Sequence, residues 1–255
     1  MMPSRFLIIN ADDLGLSPEV NSGIFAAYEH GVLTDSSLLI QRPYAREAIA
    51  VIKKIPSFNV GIHIDLDPLL GWASPGRETL PRRELLSMMD DPAFARKANK
   101  EISEQIEAFL RTGLVPSHID THHHVHGFLQ IFELLVAVMD SYGIKAIRFN
   151  KNGYSLLGRE AIHLTEKSGR RMMAMLRKKG LSSPHRLIDP FFPFSLQELP
   201  PGVTELMVHP SRDGDQWRQK DFAILMDPRF INTVRNEGIQ LISFSELKKT
   251  LSLLT

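Results

Sequence analysis

Residues 116–127 read Pro-Ser-His-Ile-Asp-Thr-His-His-His-Val-His-Gly and hold five of the chain's ten histidines beside an aspartate. Imidazoles and carboxylates at this density form a ligand set for a divalent ion. The chain has no cysteine, so His, Asp and Glu are its strong metal ligands. The plain alternative is a solvated turn that happens to be rich in histidine. Residues of the same chemistry recur where short apolar runs end: Asn10, Asp12 and Asp13 after RFLII, His63 and Asp65 in NVGIHIDL, Arg148 and Asn150 in KAIRFN, and His209 after ELMV. Each alone has a bland reading. Asp12 and Asp13 suit the start of a helix near Ser17, His63 suits a hydrogen-bonded core, and Arg148 suits a structural salt bridge. Together the bland readings require unrelated accidents at one end of successive strands. Two imidazoles and one carboxylate hold a divalent ion and leave positions for water. A neighbouring acid can then take that water's proton, and a histidine opposite, His209, can protonate a departing group.

The elements that must position these groups alternate along the chain. Strand-like runs occur at 5–10, 36–41, 59–66, 117–122, 145–150, 205–210 and 239–244, and helical patterns at 18–30, 44–54, 94–111, 128–141, 155–179 and 227–236. In an extended strand the period of two places His118, Asp120 and His122 on one face and His123 on the other. Asp227 followed by Pro228 reads as a helix cap with proline in the first turn. This alternation predicts one α/β domain over 1–255, a TIM-like (β/α) barrel of seven or eight parallel strands with its functional groups at the strands' C-terminal ends. The glycine-rich first turn of a dinucleotide-binding sheet is absent; Asn-Ala-Asp-Asp stands in its place. The stretches 67–93 and 180–203 read as irregular.

Of the 255 residues 43% are apolar, enough for a sizeable core, and 30 Lys plus Arg nearly balance 29 Asp plus Glu. That balance argues against a nucleic-acid partner. The apolar run FLII is too short for a signal peptide and no segment is long enough to span a bilayer. A cytoplasmic protein without stable membrane association is therefore expected.

The run N10-A-D-D-L-G-L-S17 with V20-N21, then L33-T-D-S-S-L-L39, G61-I-H63, H118-I-D-T-H-H-H-V-H126, E205-L-M-V-H-P210 and D227-P resembles the YdjC/ChbG family of carbohydrate deacetylases across essentially the whole chain. Leu14, Thr121 and Ser211 stand where the family usually has phenylalanine, serine and glycine. The resemblance implies a metal-dependent hydrolase that removes acetyl from an N-acetylated sugar or oligosaccharide. It implies one divalent ion held by Asp13, His63 and His122: magnesium by resemblance, with zinc, manganese, iron or cobalt as the ions that two imidazoles favour. Asp12 becomes the general base and His209 the general acid. His118 and Asp120 then orient a ligand imidazole or line the pocket, His124 and His126 reach its rim, and Arg148 orients Asp12 or holds a substrate anion. Trp72 is a candidate stacking surface for a pyranose, although packing on its own barrel is the better explanation of a loop tryptophan. The helices' outward faces allow a homodimer. Two rival readings are a sugar-binding module without turnover and another metal-dependent amidohydrolase or phosphoesterase on a similar barrel.

Overall fold

The computed structural model describes residues 4–71, 87–150, 154–156, 160–162, 165–190 and 194–254. Trp72 lies outside them. Strand β1 (Arg5–Leu14) is followed by α1 (Pro18–Glu29), β2 (Asp35–Leu38), α2 (Ala45–Ile52), β3 (Asn59–Ile64), the short α3 (Asp67–Leu70), α4 (Pro92–Arg111) and β4 (Pro116–Thr121). A 3-10 turn (His122–Gly127) then leads to α5 (Leu129–Tyr142), β5 (Tyr154–Leu156), β6 (Glu160–Ile162), α6 (Glu166–Lys179) and β7 (Arg186–Ile188). The chain closes with β8 (Gly202–Val208), α7 (Gln216–Met226), α8 (Pro228–Asn236), β9 (Gln240–Leu241) and α9 (Phe244–Ser252).

The main sheet is parallel, in the order β4-β3-β2-β1-β8-β7, with β9 paired beside β1. Six strands form a half-barrel, so the expected closed ring of seven or eight is corrected. Two expected strands fall short. Around 145–150, pairing is limited to isolated bridges, Ile147 to Ile119 and Ala146 to Ser182. At 239–244 only Gln240–Leu241 pair, because Ser243 and Glu246 form a capping box that draws the following residues into α9. The helix expected over 155–179 begins at Glu166, where the Thr165 side chain caps the Ser168 N–H at 3.1 Å. The chain before it pairs as the antiparallel hairpin β5-β6. The cap at Asp227 is present, its side chain accepting from the Arg229 N–H. Among the described residues no helix is long and apolar enough to cross a membrane.

Period-two alternation explains how an apolar sheet carries a charged site. On β1, Leu7, Ile9 and Ala11 pack into the main core with the helices, while Phe6 and Ile8 turn the other way into a smaller cluster with Val203, Ile242, Phe244 and Leu247. That second face continues upward with Asn10 and Asp12 on β1, Ser37 on β2, His63 on β3, Asp120 on β4 and Glu205 on β8, all buried. An apolar floor thus gives way to a polar layer as the strands approach their C-terminal ends, the end at which parallel α/β sheets carry function.

Candidate active site

Two adjacent acids on one strand would normally point to opposite faces. Here β1 bulges: its register against β2 shifts between Ala11 and Leu14, and Asp13 takes a left-handed backbone with φ of 69°. Asp12 and Asp13 consequently line the same cavity, together with His63, His122, His209 and Arg218.

Asp12 is held from below. Arg148, fully buried, clamps it with two hydrogen bonds of 2.6 and 2.7 Å, and Asn10 donates a third at 2.7 Å. The same guanidinium reaches Asp120 at 2.8 Å and Glu205 at 2.6 Å. Burial alone would lower the Arg148 pKa, but Asp12, Asp120 and Glu205 outweigh it and raise it well above the usual value. Glu205 is pushed up to about 7 by burial, against the pull of Arg148. Parallel register makes His63 and Asp120 neighbours, and the His63 Nδ1 to Asp120 Oδ1 distance is 2.7 Å. Burial opposes charge on His63, yet Asp120 and Asp12 hold its pKa well above the ordinary imidazole value. This is the carboxylate–imidazole pairing that fixes the orientation and tautomer of a metal-binding histidine.

Asp13 faces the open side. Its Oδ2 accepts from Arg218 at 2.6 Å, while its buried Oδ1 has no hydrogen-bond partner. That oxygen lies 3.4 Å from His63 Nε2 and 3.6 Å from His122 Nε2. Donors each about 2.1 Å from a shared ion stand roughly 3.0–3.4 Å apart in octahedral or tetrahedral geometry, so both separations from Asp13 Oδ1 are close to those of ligands on one divalent ion. Burial would raise the Asp13 carboxyl, but Arg218 and His122 hold it well below the usual range.

Among the described residues, two groups bring three possible metal ligands together: Asp12 with His63 and Asp120, and Asp67 with His122 and His123. In the first group the Arg148 guanidinium already supplies the cation between the two carboxylates. In the second, Asp67 is engaged by His123 Nδ1 at 2.9 Å and stands 3.3 Å from His122 Nδ1. Asp13 Oδ1 sits between the two groups and reaches the imidazole of each.

His122 is the first residue after β4, not part of it, and left-handed backbone at His123 and His124 turns the chain sharply there. The expected opposition of His122 and His123 fails for that reason: their rings stack at 3.9 Å and both approach Asp67. Burial lowers the His122 imidazole, but Asp13, Asp65 and Asp67 more than offset it and hold the pKa at about 9.

His209 follows β8, its Nε2 3.9 Å from Asp12 Oδ2, with its backbone N–H bonded to Asp221 at 2.8 Å and Trp217 packed edge-on at 5.2 Å. Burial pushes the His209 imidazole down to about 4, against Asp13 and Asp12.

His118 lies deeper than the pocket. It stacks on Phe244 at 3.8 Å and reaches Ser37 Oγ at 3.0 Å, and that hydroxyl donates to Asp120 at 2.9 Å. His126 bonds Thr121 Oγ1 at 2.6 Å, and His124 lines the cavity.

Sequence reasoning did not single out Arg218, Asp221, Glu205, Ser37 or Asp67. Glu205 had a visible signal, a lone acid inside the apolar run of β8. Arg218 and Asp221, three apart on α7 and both buried, carry no such signal, because the buried side of that helix is mostly charged.

The sequence profile of the family described as YdjC-like protein matches residues 6–236. A carbohydrate deacetylase of Geobacillus stearothermophilus is 30% identical over 96% of this chain and 99% of its own. A chitooligosaccharide deacetylase of Salmonella paratyphi B is 33% identical over 58% of this chain and 60% of its own. Among solved structures, a putative cellobiose-phosphate cleavage protein from Enterococcus faecalis V583 superposes with a TM-score of 0.70 at 22% identity, covering 96% of this chain and 99% of its own.

Proposed function

The chain belongs to the YdjC-like family, and from that premise we propose that it is a metal-dependent carbohydrate deacetylase, hydrolysing the acetamide of an N-acetylated sugar to acetate and an amino sugar. The observation that carries this reading is the buried, unpartnered Asp13 Oδ1 between two imidazoles, with Asp12 beside it and His209 beyond. Asp13, His63 and His122 would hold one divalent ion. Two imidazoles favour zinc, manganese, iron or cobalt on ligand grounds, and magnesium is the ion the family resemblance suggests. When bound, such an ion polarises the acetyl carbonyl and makes water more acidic.

The chain's own residues do the rest. Asp12 takes a proton from the attacking water as the new C–O bond forms, and the Arg148 clamp keeps its carboxylate aimed into the cavity. Asp120 holds the His63 ring in place. His209, whose Nε2 stands 3.9 Å from Asp12 Oδ2, relays the proton that Asp12 took from the water to the sugar nitrogen as the C–N bond breaks.

Acetate release from a panel of N-acetylated sugars tests the proposal, with stripped protein reloaded with each divalent ion beside Asp12→Ala and His122→Ala. Ion-dependent release lost in both variants supports it. Release indifferent to both variants, or phosphate release from aryl phosphates in place of acetate, would overturn it.

A further inference from the structure

Arg218 does more than neutralise Asp13. It projects from α7 into the cavity and is buried to within 8% of its surface. Its guanidinium carbon lies 4.3 Å from the Trp217 ring centroid, which fixes the plane of the group. NH2 is committed to Asp13 Oδ2 at 2.6 Å, and Nε lies 3.8 Å from Asp215. The remaining nitrogen, NH1, is buried and has no hydrogen-bond partner. A buried guanidinium N–H left unsatisfied costs free energy unless a ligand or water completes it. Guanidinium geometry places NH1 beside the nitrogen that grips Asp13, so its partner must lie next to the reacting centre.

The charge around it narrows the partner further. The cationic charge of Arg218 is already matched by Asp13, and the cavity also carries Asp12 and Asp189. Beside NH1 an anionic substituent would face the Asp13 carboxylate already bound to the same guanidinium, whereas a neutral oxygen would not. We infer that Arg218 contacts the substrate: NH1 donates to an uncharged acceptor oxygen, a hydroxyl of the sugar unit that bears the acetamide, and the site disfavours a phosphate or uronate there. This rests on the deacetylase reading for the identity of the sugar.

Arg218→Lys keeps a cation for Asp13 and removes the second nitrogen, so it separates the two tasks. The probe is di-N-acetylchitobiose, with its binding to ion-loaded protein measured by titration calorimetry and its turnover by acetate release. We expect Kd and KM to rise roughly 10- to 100-fold, the loss of one charge-assisted hydrogen bond, with kcat and ion affinity changed by less than about threefold. Arg218→Met should additionally weaken ion binding, because the Asp13 carboxylate then stands without its partner. Unchanged sugar affinity in Arg218→Lys would overturn the inference, as would a fall in ion affinity that matches the fall in sugar affinity, or tighter binding of a phosphorylated sugar than of the neutral one. Failure of the wild-type protein to bind the probe also overturns it. Binding without acetate release would instead remove the deacetylase reading and leave the Arg218 contact measurable.

Discussion

Asp12 and Asp13 are consecutive residues with opposite surroundings. Asp12 rests on a closed knot in which one guanidinium serves Asp12, Asp120 and Glu205, with Asn10 and Ser37 filling in. Asp13 has one oxygen tied to Arg218 and the other exposed to two imidazoles with nothing bonded to it. The left-handed turn at Asp13 makes the division, since it lets one strand end supply both an anchored carboxylate and an open one. Anchoring suits a group that must keep its direction through a reaction, and an open oxygen suits a ligand.

The comparison breaks most severely at Arg148. Replacing it by methionine strands three buried carboxylates, and the expected loss is about 3–5 kcal/mol in urea unfolding or no folded protein at all. Stability within about 1 kcal/mol of wild type would show that the knot is not what holds Asp12. The two acids should also separate functionally. Asp12→Asn should lower kcat by roughly 10²- to 10⁴-fold while the ion-dependent rise in Tm persists. Asp13→Asn should abolish that rise, and an identical thermal response in the two variants would erase the distinction. A smaller effect is expected at Asp120→Asn, which loosens the His63 ring: ion affinity down roughly 10- to 100-fold by calorimetric titration, with the fold retained.

The smallest effect comes from a buried carboxylate without any guanidinium. Asp35, under the sheet, accepts from the Phe244 N–H at 3.1 Å, and burial pushes its carboxyl up to about 7. Its contribution is therefore full below the ordinary value near 4 and is lost as pH rises through about 7. Asp35→Asn should gain about 1.4 kcal/mol on wild type between pH 6 and pH 8, as read from urea midpoints. The buried histidines are common to both proteins, so the difference isolates Asp35. A pH-independent gap would mean that Asp35 is ionised across that range.

Much of this architecture was readable from residue order. Apolar runs ending in acids and imidazoles located β1, β3, β4 and β8, and the cap chemistry at Asp227 and the proline after it located α8. The failures have separate causes. Helix α7 escaped because its inward face includes Arg218 and Asp221 with Leu225, and a reading that looks for apolar periodicity passes over a helix whose buried side is charged. The segment 145–150 looked like a full strand because Ala146, Ile147 and Phe149 are apolar, yet only two of its residues bridge to neighbours. The convergence of Asp12 and Asp13 depends on a backbone bulge, and pattern alone does not reveal a left-handed aspartate. His118 had the right period to join the pocket, but the depth of a residue along its strand, which decides between floor and site, is a property of the assembled sheet.

Strand β3 carries one more lesson. A β-carbon built on Gly61 would lie 2.3 Å from His118 Cε1, so the imidazole occupies the space any other residue would need. His118 in turn touches Ser37, Ser37 touches Asp120, and Asp120 holds His63. In a screen of random variants scored for lost activity, Gly61→Ala should therefore cluster with lesions of the pocket itself. A survey that equates distance from the ligand with tolerance would misclassify this codon, where the smallest side-chain addition is transmitted through three contacts to the reacting centre.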